Sequence, residues 1–474
     1  MNQEALYLRL PVWLQNLACS YEGWRIQRAR YNADFWRRLA ESEERLGWPA
    51  AQLANFRDER LRGFLRHCYE TVPYYRRTWD SLGLNYQKVQ TLADLAAWPI
   101  LDKTTVRANY AELLSTAVPE KDRVIAHTSG TTGAGLRFAV TREFQREQWA
   151  VWWRYRRWHG IQTDTWCGYF GGRSLVPLGQ RQPPFWRMNH PGRQIMFSGY
   201  HVSPTNLPAY VAQLNRLRPP WLHGYPSLLA VVAGYLLDQG EKLDYQPQWI
   251  TTGAENLLAN QTALIEAAFG VRPRQHYGMS EGVANISETV TGKLVVDEDF
   301  AAVEFVPAIR GASPGDTGTQ HQGHRIIGTN LANLALPLVR YEVGDIAQLP
   351  PVVNDEKNTT GGELAGRRVA EIDGRLEDYI VLKNGAKLGR MDHIFKDLVR
   401  IQEAQLYQNE PGKICIRIVR GQGYTPADEA QLLGEFRQRV GDQAELQVEY
   451  HPALARTPTG KLRFVVSQIP EGRI

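Results

Sequence analysis

A segment rich in glycine and hydroxyl side chains is the feature that most constrains this chain. Residues Thr128 to Leu136 contain four Ser or Thr residues and three glycines. Glycine reaches backbone angles that other residues avoid, so successive N–H groups of such a segment can converge on one anion. The hydroxyls add further donors. The segment predicts a phosphate-binding loop, and the alternative interpretation is a surface loop without a ligand.

This loop differs from the phosphate loop of P-loop NTPases. Gly130 and Gly135 have the spacing of that motif, but Leu136 occupies the position of its lysine, and no Ser or Thr follows. A P-loop NTPase is therefore disfavoured. The positive charge that phosphates need beside them has to come from another part of the chain.

Helices and short strands alternate after this loop. The apolar periodicity predicts helices over 142–158, 207–217, 227–237 and 260–269, with short β-rich runs between them. Alternation of this kind favours an α/β layered domain with parallel strands. Residues 1 to about 120 are predicted to form a mostly helical layer on that domain.

The length of 474 residues is more than one hydrophobic core usually serves. We predict a large domain over 1–376 and a small α+β domain over 377–474. In the small domain the pattern predicts a strand over 414–419, a helix over 426–440 and a strand over 445–450.

The composition disfavours several classes of protein. The net charge of +5 is too small a basic excess to indicate a nucleic-acid binder. The four cysteines lack the spacing of zinc ligands or of a disulfide framework, which favours a reducing, cytoplasmic location. No apolar run reaches about 18 residues, so no transmembrane helix is predicted. The Trp- and Arg-rich first 80 residues fit a helical layer packed on the main domain better than a membrane-surface helix.

Six segments occur in a fixed order and together carry a family resemblance. They are 127–136, 251–255, 277–281, 340–345, 374–378 and 456–463. This series resembles the adenylate-forming superfamily of acyl-CoA synthetases, luciferases and peptide-synthetase adenylation domains. Residues 65–75 and 98–103 are similar to its phenylacetate–CoA ligase branch. Residues 10–17 and 222–227 resemble the subgroup associated with capsule and polysaccharide biosynthesis.

The resemblance implies binding of ATP and Mg²⁺ and formation of an acyl-adenylate. It implies that the phosphates are held by Ser129, Gly130, Thr131, Thr132 and Gly133. The adenine and its surroundings would be contacted by Gly253, Ala254, Glu255, Tyr277, Gly278, Met279 and Ser280. Glu281 would hold Mg²⁺, Asp345 and Arg375 would contact the ribose, and Lys461 would bridge the carboxylate and the α-phosphate. A carboxylate and a triphosphate are both anions, so their reaction needs such cationic groups.

The resemblance also implies the second half-reaction. Glu377 matches the hinge about which the small domain turns, and Gly385 matches the glycine beside the pantetheine arm of CoA. Tyr169, Phe170 and Arg173 fall where the branch builds its acyl pocket, although ordinary strand packing explains them equally well. Aromatic rings suit a flat apolar acid, and Arg173 could pair with an anionic substituent.

Three functions are weighed. The leading hypothesis is an acid–CoA ligase-like enzyme that adenylates a small-molecule carboxylic acid and transfers the acyl group to CoA. The alternative acceptor is an amine or hydroxyl group in polysaccharide or secondary metabolism. The hypothesis from another class is a non-catalytic nucleotide-binding partner protein, which the joint presence of Glu281, Asp345, Arg375 and Lys461 disfavours. The sequence allows a homodimer.

Overall fold

The computed structural model describes most of the chain. The described residues are 6–127, 136–173, 175–177, 179–203, 205–255, 257, 259–307, 323–351, 364–374, 379–383, 387–389, 401–420, 423–452, 454–455 and 465–469. The predicted phosphate-loop residues Ser129 to Gly133 lie outside them. Arg375, Glu377, Gly385 and Lys461 do as well.

The N-terminal layer is helical, as predicted, and helices recur through the rest of the chain. The helices are α1 (Val12–Arg30), α2 (Ala33–Glu44), α3 (Ala50–Thr71), α4 (Pro73–Ser81), α5 (Lys103–Ala108), α6 (Tyr110–Leu113), α7 (Arg142–Trp158), α8 (Leu207–Leu217), α9 (Pro226–Asp238), α10 (Ala259–Phe269) and α11 (Pro426–Val440). Thr141 caps α7, where its hydroxyl accepts from the Phe144 N–H.

The strands form three larger sheets and two hairpins. The strands are β1 (Val124–His127), β2 (Arg137–Val140), β3 (Cys167–Gly171), β4 (Trp186–Asn189), β5 (Gln194–Ser198), β6 (Trp221–Gly224), β7 (Trp249–Thr252), β8 (Arg274–Gly278), β9 (Asn285–Glu288), β10 (Leu294–Val296), β11 (Ala301–Pro307), β12 (His324–Asn330), β13 (Tyr341–Gln348), β14 (Arg368–Val369), β15 (Glu371–Gly374), β16 (Tyr379–Val381), β17 (Lys387–Gly389), β18 (Ile401–Glu410), β19 (Lys413–Arg420), β20 (Glu445–Tyr450) and β21 (Val465–Ser467).

The central sheet has nine strands in the order β14-β10-β9-β8-β7-β6-β3-β5-β4. Its middle strands β5, β3, β6, β7 and β8 run parallel, and the outer pairs are antiparallel. Helices α8 to α10 bury one face of the parallel strands in a core that includes Phe170, Leu222 and Ile250. Helices α2 and α7 cover the other face, where Phe35, Trp153 and Trp221 pack together. The predicted α/β fold with parallel strands is confirmed.

Buried arginines attach the N-terminal helices to the large domain. Arg154 of α7 is almost fully buried and forms ion pairs of 2.7 Å with both Asp297 and Asp299. Asp299 also pairs with Arg45, which follows α2. Glu298, the residue between the two aspartates, pairs with Arg57 of α3 at 2.7 Å. These charges sit among hydrogen-bond partners, which offsets much of the cost of removing them from water.

Helix α1 has one packed face and one exposed face. Gln15, Cys19 and Gly23 are buried, whereas Trp13 is 62% exposed and Trp24 is 47% exposed. The prediction that the N-terminal tryptophans pack on the main domain is therefore wrong for these two residues. Within the described residues, no helix combines the length and apolar character that a membrane crossing requires.

The C-terminal unit is a four-stranded sheet in the order β20-β19-β18-β21 with α11 packed on it. Its core includes Ile416, Leu432 and Phe436. The last strand of the preceding unit, β15, ends at Gly374, and β16 begins at Tyr379. Residues 375–378 lie outside the described part, so the boundary after residue 376 stays a prediction. Arg439 of α11 approaches the large domain, with its guanidinium 5.0 Å from the Tyr200 ring centroid.

Candidate active site

The carboxyl ends of parallel strands meet at one edge of the central sheet. Gly224 at the end of β6 pairs with Thr252 at the end of β7, and Thr252 pairs with Gln275 of β8. The segments that follow β7 and β8 therefore leave the sheet side by side. Ligands of open α/β sheets bind at this edge. The predicted residues Gly253 to Glu255 and Met279 to Glu281 all lie there.

Tyr277 and Asp345 are brought together from different sheets. Tyr277 belongs to β8 of the central sheet, and Asp345 belongs to β13 of a separate four-stranded sheet in the order β11-β12-β13-β15. The Tyr277 hydroxyl donates a hydrogen bond of 2.7 Å to Oδ2 of Asp345. Both side chains are half-buried, so a ligand can still reach them. This contact places an aromatic ring and a carboxylate beside each other.

The turn that carries Glu281 is held by two side-chain amides. Gln148 of α7 donates to the Met279 carbonyl at 2.8 Å, and Asn330 of β12 donates to the Glu281 carbonyl at 2.6 Å. Gly282 closes the turn with a φ of +65°, an angle that a side chain would oppose. Sequence reasoning missed Gln148 and Asn330, because a single amide far away in the chain gives no pattern.

The segment after β7 contains a non-glycine residue in the left-handed region. Ala254 has a φ of +67°, which is uncommon for a residue with a Cβ atom. Such a conformation costs about 1–3 kcal/mol, and residues of this kind cluster at functional sites. Gly253 precedes it, and a Cβ atom added there would come no closer than 3.6 Å to its neighbours. Space beside the backbone is therefore available at this position.

The three residues predicted to line the acyl pocket, in β3 and the loop after it, do not lie on one face of the sheet. Tyr169 is half-buried on the sheet face covered by α7, and Arg173 is exposed beyond the strand. Phe170 points to the opposite face and is fully buried, with its ring stacked 4.6 Å from Phe197. The hypothesis that Phe170 lines the substrate pocket does not fit this placement, because successive strand residues face opposite sides.

Two histidines lie on the same sheet face as Tyr169. His223 pairs with Tyr169 across β3 and β6, and its Nδ1 lies 3.0 Å from the Thr251 carbonyl oxygen. Because a carbonyl can only accept, Nδ1 carries the hydrogen and Nε2 is an acceptor. His276 of β8 packs edge-on against Trp152 of α7.

Both imidazoles are neutral near pH 7. Burial, together with the positive charge of Arg156, lowers the pKa of His223 to about 3 and the pKa of His276 to about 3. Sequence reasoning assigned no chemical role to His276.

Whether Glu281 can hold Mg²⁺ depends on which other groups supply oxygen ligands. Among the described residues, no group of three His, Cys, Asp or Glu side chains could hold a metal ion. Mg²⁺ in nucleotide-dependent enzymes is commonly held by one or two carboxylates together with phosphate oxygens and water. A single half-buried carboxylate such as Glu281, beside the edge where a nucleotide would lie, suits that mode.

Comparison with known proteins identifies the relatives of this chain. It is 25% identical over 472 residues to the protein CapK of Staphylococcus aureus, an alignment that covers 98% of this chain and 99% of CapK. It is 26% identical to the phenylacetate–coenzyme A ligase of Aromatoleum evansii, over 69% of this chain and 71% of that protein. The chain is a homologue of CapK and of the phenylacetate–CoA ligases. The recognition made from the sequence motifs is confirmed.

The C-terminal unit and the fold add detail to this homology. Residues 380–468 match the CapK C-terminal domain family. The crystal structure of 2-hydroxyisobutyryl-CoA ligase in the postadenylation state has a TM-score of 0.54 and is 18% identical, covering 90% of this chain and 91% of that chain. The same ligase in the thioesterification state also gives a TM-score of 0.54, at 19% identity. This homologue of CapK thus has the fold of an adenylate-forming enzyme.

Proposed function

We propose that this CapK homologue is an ATP-dependent carboxylate-activating enzyme that forms an acyl-adenylate and then an acyl-CoA thioester. The observation that carries the proposal is the arrangement at the carboxyl edge of the sheet. There the turn of Glu281 follows β8, and Tyr277 hydrogen-bonds to Asp345 at 2.7 Å. The homology to phenylacetate–CoA ligases over about 70% of the chain supports the same reaction class.

In the first half-reaction a substrate carboxylate oxygen attacks the α-phosphorus of ATP. The bond from that phosphorus to the bridging oxygen breaks, and pyrophosphate leaves with the electron pair. Tyr277 would flank the adenine, and Asp345 would accept hydrogen bonds from the ribose hydroxyls. Mg²⁺ on Glu281 would neutralise the phosphates. Ser129 to Gly133, Arg375 and Lys461 keep the phosphate, ribose and bridging roles that the resemblance implies.

In the second half-reaction the thiol sulfur of CoA attacks the acyl carbon. The carbon–oxygen bond to AMP breaks, AMP leaves, and the thiol proton passes to solvent. Gly385 would let the pantetheine arm pass close to the backbone, and the small unit would turn about Glu377. The four cysteines are free, which agrees with a cytoplasmic enzyme.

The second candidate is transfer of the acyl group to an amine or hydroxyl acceptor in polysaccharide biosynthesis. In its favour, residues 10–17 and 222–227 resemble the subgroup associated with capsule and polysaccharide biosynthesis, and the alignment with CapK covers 98% of the chain, whereas the ligase alignments cover about 70% of it. Product analysis distinguishes CoA from an amine or hydroxyl acceptor. ATP, CoA and the best acid are incubated together, and acyl-CoA is the expected product. An acyl-adenylate that only an amine or hydroxyl acceptor discharges would establish the second candidate.

The test of activation itself is carboxylate-dependent ATP–pyrophosphate exchange, screened over aryl, fatty, hydroxy and amino acids. Lys461→Ala should lower the exchange rate by about 10²–10³-fold, the usual effect of removing one charge-stabilising group. Lys413→Ala is the matched control. Lys413 is exposed in the same unit and forms a surface ion pair of 2.8 Å with Glu410. Absence of exchange with every acid would leave the non-catalytic nucleotide-binding protein as the better interpretation.

A further inference from the structure

Among the described residues, Arg156 of α7 has no anionic partner, although three other arginines of the same helix do. Arg146, Arg154 and Arg157 each form an ion pair with an aspartate or glutamate. Arg156 is half-buried, and among the described residues no carboxylate and no hydrogen-bond acceptor contacts its guanidinium. It lies instead over three tryptophan rings, 5.6 Å from Trp149, 4.9 Å from Trp153 and 5.4 Å from Trp221.

Aromatic rings satisfy only part of what a guanidinium needs. Cation–π contacts recover only part of the hydration that a buried guanidinium loses, and the remaining cost persists unless hydrogen bonds replace that hydration. Five N–H donors of Arg156 are available for such bonds. Burial accordingly lowers the pKa of Arg156, although the group stays protonated at physiological pH.

The surroundings of Arg156 are cationic or neutral. Arg30 of α1 lies against the Trp149 ring at 3.5 Å, and its positive charge and that of Arg156 repel each other. Within the described residues, the titratable groups that interact with Arg156 carry no negative charge near pH 7. They are Tyr31, Tyr155, Cys167, Tyr169, His223 and His276. The Nε2 atom of His276 is buried and has no hydrogen-bond partner in this region. Among the described residues, no acidic side chain therefore forms an ion pair with Arg156.

The arginine lies deeper in the protein than the predicted nucleotide residues. Trp221, over which Arg156 lies, is at the start of β6, and His223 is two residues further along the same face. His223 pairs with Thr251, and Gly253 continues that face at the sheet edge. Four residues of strand span about 13 Å, and two span about 7 Å. Arg156 therefore lies roughly 7–13 Å below the edge at which a carboxylate would be activated.

Two glycines lie on the sheet face between the two levels. Gly253 and Gly278 share the face of His223 and His276, since residues two apart in a strand point the same way. A Cβ atom at Gly253 would meet no atom closer than 3.6 Å. At Gly278 it would crowd Trp152 of α7 at 3.3 Å and Asn285 at 2.8 Å. A larger residue at Gly278 would thus press against Trp152 of α7.

We propose that the acid activated by this enzyme carries a second anionic group, and that Arg156 binds this distal group with Arg30 contributing to the attraction. The proposal rests on the proposed function and specifies its substrate class. The distal group is an oxyanion, such as a second carboxylate, a phosphate or a sulfate, because a guanidinium binds planar or tetrahedral oxyanions through paired N–H donors. The aromatic rings around Arg156 exclude water and strengthen that pairing.

The test compares acids that differ only in the distal charge. ATP–pyrophosphate exchange is measured with dicarboxylates from succinate to suberate, with their mono-methyl esters, and with carboxylates that bear a terminal phosphate or sulfate. The wild type should prefer one charged acid over its neutral ester by at least about 100-fold in kcat/KM, because a site built for a polar group rejects analogues that lack it. The preferred member of the series identifies the oxyanion. Equal use of acid and ester would overturn the proposal.

Variants test the assignment to Arg156. Arg156→Gln should remove the preference for the charged acid, Arg156→Lys should retain part of it, and Arg157→Gln is the matched control because Arg157 pairs with Glu43 at 2.9 Å near the surface. A preference that survives in folded Arg156→Gln would refute the role of this residue. If Arg156→Gln does not fold, the same comparison is made with Arg156→Lys and Arg30→Gln, and an unchanged preference in both would refute it.

A binding measurement separates this proposal from the proposed function. The thermal midpoint of the wild type is measured with each free dicarboxylate and with its ester, without ATP. If no acid supports exchange, the proposed function fails, but a midpoint raised by the dicarboxylate alone and lost in Arg156→Gln still supports the anion site. Equal shifts in the wild type and in this variant would overturn the site.

Discussion

The Tyr277 hydroxyl donates a 2.7 Å hydrogen bond to Oδ2 of Asp345, across 68 residues of sequence. The donor lies in β8 and the acceptor in β13, so the bond joins the central sheet to the sheet β11-β12-β13-β15. It fixes the carboxylate with one oxygen engaged. In the proposed function this pair holds the adenosine part of ATP, and its effect on binding can be measured directly.

The two residues should act as a coupled pair in ATP binding. Tyr277→Phe keeps the ring but removes the hydrogen bond to a charged group, so the Kd for ATP should rise by about tenfold, equivalent to about 1.5 kcal/mol. Asp345→Ala should raise it further, because the ribose acceptor is also lost. Calorimetry of both single variants and the double variant checks the coupling. The double variant should lose less than the sum, and strictly additive losses would show that the bond does not position Asp345.

Glu281 should determine how much Mg²⁺ the enzyme needs. Glu281→Gln preserves the shape of the side chain but replaces a carboxylate by a neutral amide, which is a poorer ligand for a hard cation. We expect the Mg²⁺ concentration for half-maximal pyrophosphate exchange to rise severalfold. Asn330→Ala, which frees the Glu281 carbonyl, should produce a smaller shift in the same direction. An Mg²⁺ profile identical to wild type in Glu281→Gln would remove this residue from the metal site.

Two glycines at the sheet edge should respond to substitution in opposite ways. At Gly224 an added Cβ atom would overlap the Phe170 carbonyl oxygen, so Gly224→Ala should lower the free energy of unfolding by about 1–3 kcal/mol. At Gly253 the nearest atom would be 3.6 Å away, so Gly253→Ala should change stability by no more than about 0.5 kcal/mol. The methyl group would, however, enter the proposed adenine site and weaken ATP binding. Urea unfolding and calorimetry on both variants check this contrast.

The motifs predicted which segments lie next to each other at the sheet edge, but not the residues that pack around them. Residues 253–255 and 277–281 were expected to lie together, and parallel β7 and β8 bring them to one edge. The bounds of α7 and α8 were predicted to the residue, because both have a clear apolar period. Arg156 could not be selected, because the sequence of α7 does not say which of its arginines would meet a carboxylate.

Burial of polar residues explains most of what the sequence concealed. Strands β4 and β5 were missed, and β4 contains Arg187, whose fully buried Nε donates to Gln15 of α1. Residues 297–299 are three consecutive acids, a pattern typical of an exposed turn, yet all three are buried. They pair with arginines of α3 and α7 and with Arg45 after α2, each more than 140 residues earlier in the chain. Such pairing depends on the tertiary structure and leaves no periodic signal.

The Arg154 network should be the most sensitive point for stability. Burial opposes ionisation of Asp299, but Arg154 and Arg45 outweigh it and lower its pKa, whereas burial raises the pKa of Asp297. Arg154→Met would leave these carboxylates without their main cation, so the free energy of unfolding should fall by about 3–5 kcal/mol. Arg157→Gln, on the same helix but near the surface, should cost less than about 1 kcal/mol. Chemical denaturation of both checks the prediction, and similar losses would contradict it.

The buried histidines should make the protein sensitive to mild acid. The folded pKa of His223 is about 3, whereas an unfolded histidine has a pKa of about 6.5. Above pH 6.5 the imidazole is neutral in both states and has no effect. Below it the unfolded state binds a proton that the folded state does not, so stability falls as the pH falls, by about 2 kcal/mol per histidine at pH 5.

His223→Asn keeps a donor toward the Thr251 carbonyl but cannot titrate. Urea unfolding at pH 7.5 and at pH 5 should therefore give a loss about 2 kcal/mol smaller in this variant than in the wild type. Equal losses would mean that His223 is protonated in the folded protein at pH 5, and would contradict its lowered pKa.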